Sequence, residues 1–129
     1  MLFRSPPRPT LEQSITDWQR TMDVNVRGCY LVARAAGRHM VPRRAGCLLN
    51  VASLAAIRAF PASNDYGVSK AAVAMLTQTL AAEWGRSGVR VNAVAPGLTD
   101  APMLGRMFEA SPRPLDAYLR RIQIGRAHV

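Results

Sequence analysis

Tyr66 and Lys70 stand four residues apart in an unbroken Ala-rich stretch, residues 66–86. That spacing is about one helical turn, so both side chains are expected on one helix face. A tyrosine with the ordinary pKa of about 10 is a poor base near neutrality, but a cation a few ångströms away favours the phenolate. A tyrosine tuned in this way can give a proton to a carbonyl oxygen or take one from an alcohol. Ser53, 13 residues before Tyr66 and just past a short apolar run, could hold the same oxygen by a hydrogen bond as its charge changes. A Tyr-x-x-x-Lys can arise by chance in any long helix, and an ordinary surface pair is the plainer reading. Against it, Lys70 is the only lysine among the 17 basic residues.

The elements that must position these side chains follow from periodicity and punctuation. Pro6, Pro7 and Pro9 mark a connecting entry that cannot be helical. Thr16 and Gln19 have capping-box spacing. Trp18, Met22, Val26, Tyr30 and Ala33 then recur at helical intervals, which predicts a helix over 16–41 that stops at Pro42. Gly46 opens a short apolar run, 47–51, of a length that suits a buried parallel strand. Residues 52–65 read as a loop turning at Pro61, Ser63 and Asn64, and 66–86 as a helix closed by a glycine cap at Ser87–Gly88. A second apolar run, 89–95, leads into Pro96 and Gly97. Helix, strand, helix, strand is the order of an α/β protein, here an interior piece of a partial doubly wound (Rossmann-type) parallel sheet. In such sheets the chemistry lies beyond the carboxyl ends of the strands, where Ser53 and Pro96 fall.

Composition narrows the function classes. At 129 residues the chain suits one globular unit, and 49% hydrophobic with 19% charged residues argues against disorder. The longest apolar run without a charge, 71–82, is shorter than the roughly 20 residues a membrane span needs, so a soluble protein without a membrane partner is expected. The net charge of +9 suggests nucleic acid. The arginines are scattered, however, and together with the many alanines they look like GC-rich coding, so no nucleic-acid partner is expected. A salt-dependent shift of DNA would reveal one. Cys29 and Cys47 are isolated among apolar neighbours and read as buried thiols of a reducing compartment. His39 and His128 are too few for a metal site. No signal peptide precedes the body of the chain, and a cytoplasmic location in a GC-rich bacterium is expected.

Taken together, the motifs resemble the short-chain dehydrogenase/reductase family. Asn50-Val51-Ala52-Ser53 is similar to its strand-end segment with the catalytic serine, and Tyr66-Gly67-Val68-Ser69-Lys70 to its Tyr-x-x-Ser-Lys core. Asp23-Val24-Asn25-Val26-Arg27-Gly28 resembles the mid-helix segment whose asparagine completes a tetrad. The stretch 88–97 resembles the strand leading to the nicotinamide-binding loop, and the likeness covers about 11–103. The resemblance implies an NAD- or NADP-dependent oxidoreductase that interconverts a small-molecule alcohol and a carbonyl, the hydride chemistry being the cofactor's. It makes Tyr66 the proton donor or acceptor. Lys70 would lower its pKa and bind the nicotinamide ribose, Ser53 would orient the substrate oxygen, and Asn25 would hold a water linking Lys70 to solvent. Pro96, Gly97 and the backbone at Thr99 would contact the nicotinamide.

Departures from the family pattern are Ala101 where a threonine often binds the cofactor, and Ala56 in place of a common glycine. The Gly-rich strand-to-helix turn, the ribose-selecting residue and the Asn-Ala-Gly strand end occur nowhere in the chain. The chain thus reads as a fragment whose choice between NAD and NADP lies outside it, with the substrate set by 101–119 and by lost segments. A family-like binding protein without turnover is the alternative, although it would have no need for Tyr66 and Lys70 together. The helix 66–86 is apolar on more sides than one sheet face needs, which, with the resemblance, predicts a homodimer or homotetramer.

The ends read differently. As DNA, Leu2-Phe3-Arg4-Ser5 and Ile124-Gly125-Arg126 can be one sequence on opposite strands, matching a sequencing adapter. Residues 1–5 and 124–129 are therefore expected to be adapter-derived, leaving 6–123 as the interior and catalytic part of one domain.

Overall fold

The computed structural model describes residues 7–97. Ser14, not Thr16, starts the first helix, α1 (Ile15–Met22). Ser14 stands in an extended conformation, and its Oγ accepts a hydrogen bond from the Asp17 amide at 3.0 Å. From α1 the chain runs without a break through a π-helical segment, Asp23–Arg27, into α2 (Gly28–Arg43). The predicted continuous helix is therefore present, but it carries a π-bulge, a feature found most often at functional sites. Pro42 does not end the helix. A proline removes its own amide bond, and here that loss falls in the last turn, which the Arg44 and Ala45 amides close onto the Val41 and Met40 carbonyls at 3.1 and 3.3 Å.

The strand β1 (Gly46–Val51) pairs in parallel with β2 (Val89–Val94), in register from Gly46 opposite Val89 to Val51 opposite Val94. Between them lies α3 (Asn64–Trp84), which starts two residues before the predicted Tyr66. Asp65 is thereby in the first turn, where the positive end of the helix dipole favours a carboxylate. A 3-10 turn, Gly85–Ser87, follows α3, and Gly88 has φ of 71° with the Arg44 carbonyl oxygen 2.5 Å from where a Cβ would stand. Only glycine fits there, as the predicted cap requires.

One face of the sheet is covered. Ala33 of α2 and Leu80 of α3 pack on Val89 and Val91, with Leu48, Met40, Leu76 and Trp84 around them. The other face of β1 carries Cys47, Leu49 and Val51, all exposed among the described residues. This corrects the reading of both cysteines as buried: Cys47 is exposed and Cys29 half-buried. The apolar run implied cover on both faces, whereas strand alternation turns Leu48 and Asn50 inward and Cys47 outward.

Candidate functional site

The site gathers where β1 and β2 end. The ladder continues past the strands through the Ala52 amide on the Val94 carbonyl at 2.8 Å and the Leu54 amide on the Pro96 carbonyl at 2.9 Å. These two bonds lay the loop that carries Ser53 against the loop that carries Pro96 and Gly97. Ser53 is partly buried, and its Oγ accepts from the Ala55 amide at 3.2 Å, which fixes the 3-10 turn Leu54–Ala56. Its own proton is not used in that bond.

The same turn meets the start of α3. A Cβ on Gly67 would lie 3.4 Å from the Ala55 carbonyl oxygen, so the missing side chain lets the turn lie close against the first turns of α3. In the sequence Gly67 is one of the variable positions of the motif and carries no signal of this contact.

Lys70 has no exposed surface, and its Nζ donates to the Val51 carbonyl oxygen at 2.8 Å, the last residue of β1. The same Nζ stands 5.7 Å from the centroid of the Tyr66 ring, so the predicted pair is together on one helix face. Burial lowers the pKa of Lys70 from 10.5 to about 8, opposed by the nearby Cys29. Burial likewise pushes the Cys29 thiol up, against the pull of Lys70, and Cys29 Sγ donates to Asn50 Oδ1 at 3.3 Å. Asn50 Nδ2 in turn donates to Thr77 Oγ1 at 2.8 Å, so this buried amide ties α2 and α3 to β1 beneath the site. Its place in the motif hinted at a strand end and gave no sign of this role.

Asn25 lies in the π-helical segment, buried, and its Nδ2 donates to Ser69 Oγ at 3.0 Å. Ser69 donates onward to the Tyr66 carbonyl oxygen at 2.8 Å. The structure thus links Asn25 to the main chain of Tyr66 through Ser69, the residue before Lys70, which the sequence showed only as part of a motif. Pro96 and Gly97 are exposed at the end of β2. Thr99 and Ala101 lie outside the described residues, as do the two ends of the chain. No group of three or more His, Cys, Asp or Glu that could hold a metal occurs among the described residues.

This arrangement offers a phenol beside a buried amine, a hydroxyl held at a strand exit and backbone at the end of the next strand. It can pass one proton to or from an oxygen bound above Tyr66. A family model described as enoyl-(acyl carrier protein) reductase matches residues 4–128. The 3beta-hydroxysteroid dehydrogenase 1 of Eggerthella lenta is 41% identical over 118 residues, 91% of this chain and 45% of that protein. Among solved structures, a short chain dehydrogenase/reductase family protein is 43% identical with a TM-score of 0.77, covering 85% of this chain and 47% of the other. A gluconate 5-dehydrogenase from Burkholderia cenocepacia, in complex with NADP and tartrate, is 33% identical with a TM-score of 0.76, covering 87% and 42%. The chain therefore spans about half the length of the proteins it matches.

Proposed function

The chain belongs to the short-chain dehydrogenase/reductase family, and from that premise we propose that the protein interconverts an alcohol and a carbonyl by hydride transfer with NAD or NADP. The observation that supports this most is Lys70 itself. A buried lysine costs stability unless it is hydrogen-bonded, and this one is held on the Val51 carbonyl with its amine over the Tyr66 ring. Tyr66 gives the proton to the carbonyl oxygen in reduction and takes it back in oxidation. Lys70 sets its amine over the Tyr66 ring, Ser53 donates to the substrate oxygen as charge builds on it, and Asn25 holds the path by which protons leave.

The donor set fits the nicotinamide half of a dinucleotide. The Tyr66 hydroxyl and the remaining N–H groups of Lys70 suit ribose hydroxyls, once Nζ turns from Val51. The exposed backbone at Pro96 and Gly97 suits the nicotinamide, with Thr99 beyond the described residues. Bound there, the cofactor supplies or accepts the hydride.

The same reading makes 6–123 the interior and catalytic part of the domain, with 1–5 and 124–129 adapter-derived, in a cytoplasmic bacterial enzyme. It takes a small-molecule substrate and works without nucleic acid or membrane. No helix among the described residues is long and apolar enough to cross a membrane. A homodimer or homotetramer is supported by exposed Leu31, Val32 and Met75 and by an open groove of about 380 Å³ between Met22, Val26, Tyr30 and Leu76.

The test is turnover by the full-length protein on a panel of secondary alcohols, steroids and polyols included, with each oxidised nicotinamide. Tyr66→Phe keeps the ring and removes the proton, so turnover should fall at least about 100-fold while the fold survives. Near-normal rates in that variant would refute the assignment. Lys70→Arg should also be severely impaired, because a planar guanidinium cannot replace the ammonium on both partners.

A further inference from the structure

Two hydrogen bonds join the helix that carries Asn25 to the helix that carries Tyr66. Thr21 Oγ1 lies 2.8 Å from Asp65 Oδ2 and 3.0 Å from the Asp17 carbonyl oxygen. The Asp65 oxygen is the nearer of the two acceptors for the single hydroxyl proton. Asn25 Nδ2 donates to Ser69 Oγ at 3.0 Å, and Ser69 hands its proton to the Tyr66 carbonyl at 2.8 Å. All four side chains are buried. Thr21 and Asn25 are four residues apart, as are Asp65 and Ser69, so the bonds form two rungs one turn apart, with Tyr66 just after the first and Lys70 just after the second. We infer that Thr21 and Ser69 are positioning residues whose paired rungs fix the rotation of α3 about its own axis and so aim Tyr66 and Lys70.

One contact between two helices leaves rotation free, whereas two contacts a turn apart remove it. Around the motif α3 presents Gly67, Ala71, Ala72 and Ala74, which have little to interlock, so apolar packing close to Tyr66 and Lys70 falls mainly to the buried Val73. Buried polar pairs select one rotation, because any other breaks the Thr21–Asp65 and Asn25–Ser69 hydrogen bonds where water is not at hand to replace them. A small rotation is amplified at the tip of a long side chain, which stands well outside the Cα radius of about 2.3 Å. Misplacement by about 1 Å can cost on the order of 100-fold in rate.

The inference rests on Tyr66 and Lys70 being the working pair, and its test separates the two ideas. In the full-length protein, Thr21→Val keeps shape and removes the donor, and Thr21→Ser keeps the donor. Ser69→Ala removes the second rung. The first readout needs no turnover: with ¹³C-lysine labelling, the Lys70 resonance, identified by its loss in Lys70→Arg, is titrated in each variant. Cys29, the titratable group facing Lys70 from α2, and Asp65 and Tyr66 on α3 are the same in all of them.

Lys70 should titrate at its wild-type midpoint in Thr21→Ser. The midpoint should rise toward an ordinary lysine in Thr21→Val, and further in Thr21→Val/Ser69→Ala, as Nζ leaves its buried place. The second readout is kinetic. With the alcohol turned over best by the wild type, kcat should fall about tenfold in Thr21→Val and recover in Thr21→Ser, with KM for the nicotinamide within about twofold. A wild type that turns over nothing defeats the enzymatic reading and leaves the titration to decide the rungs. A folded double variant with unchanged midpoint overturns the inference. Should Thr21→Val not fold, hydrogen exchange in the wild type decides: amides of Gly67 and Lys70 as slow as that of Val73 support the rungs, and fast exchange at Gly67 overturns them.

Discussion

A lysine with no exposed surface is a thermodynamic signature as well as a chemical one. Lys70 carries a folded-state pKa of about 8 against 10.5 for the free side chain, because burial disfavours its charge. Below about pH 8 the folded and unfolded states both hold the proton, and the folded state bears the full cost of the buried charge. Between about 8 and 10.5 the unfolded chain holds more protons than the folded one. Stability should therefore rise with pH across that window through this group, by up to about 1.4 kcal/mol per pH unit. Lys70→Met lacks the effect, so the difference in unfolding free energy, wild type minus variant, should grow from about pH 8 to pH 10 in urea titrations. A flat difference would show that Lys70 is hydrated in solution. At this scale the sequence was legible where function depends on local spacing: Tyr66 and Lys70 share a turn, and Ser53 sits at a strand end. It was silent on Thr21, Ser69 and the Val51 carbonyl, since their partners lie across the fold and a hydroxyl in a helix looks the same whether it faces water or a buried amide.

Elements were legible where a single rule governs them. The order of helices and strands and the glycine cap at Gly88 follow from periodicity and from the φ of 71° that only glycine adopts freely. Boundaries were misread where two rules compete: Ser14, not Thr16, is the cap, its Oγ accepting from the backbone amide of Asp17. Pro42 sits inside α2 because the last turn tolerates a lost amide bond, and no residue type announces the π-bulge at Asn25. Close helix contact leaves a subtler trace. A Cβ on Gly37 would stand 2.6 Å from the Trp84 ring, so α2 and α3 approach through a glycine that looks like a mere weakness in a helix. Gly37→Ala gains helix propensity of roughly 1 kcal/mol, but it drives a methyl into the partly buried Trp84 ring packed against the core and should cost about 1–3 kcal/mol through overpacking. The net sign, destabilising, is checked by thermal melting of the full-length protein. A stabilised variant would mean that Trp84 can swing aside.

For the molecule as a whole, the sheet decides behaviour. Among the described residues it has two strands, one face covered by α2 and α3 and the other showing Leu49 at 60% and Val51 at 43% exposure. Parallel strands of this apolar kind are stable when both faces and both edges are occupied. The chain spans 45% of the length of a 41% identical relative, and it carries no Gly-rich turn with a helix start to receive a pyrophosphate. The 129 residues made alone should therefore melt broadly, bind an apolar dye and show no micromolar affinity for NADH or NADPH. Cys47 gives a residue-level reporter of the same property. Its neighbours on the open face, Leu49 and Val51, are those that further sheet or helix would bury, so its thiol should react rapidly in the chain alone and slowly in the full-length protein. Cys29, half-buried and with its pKa raised by burial, should react slowly in both. A sharp cooperative melt with tight cofactor binding by the chain alone would show that α2, α3 and two strands suffice as a domain, and equal reactivity of Cys47 in both proteins would show that its face stays open.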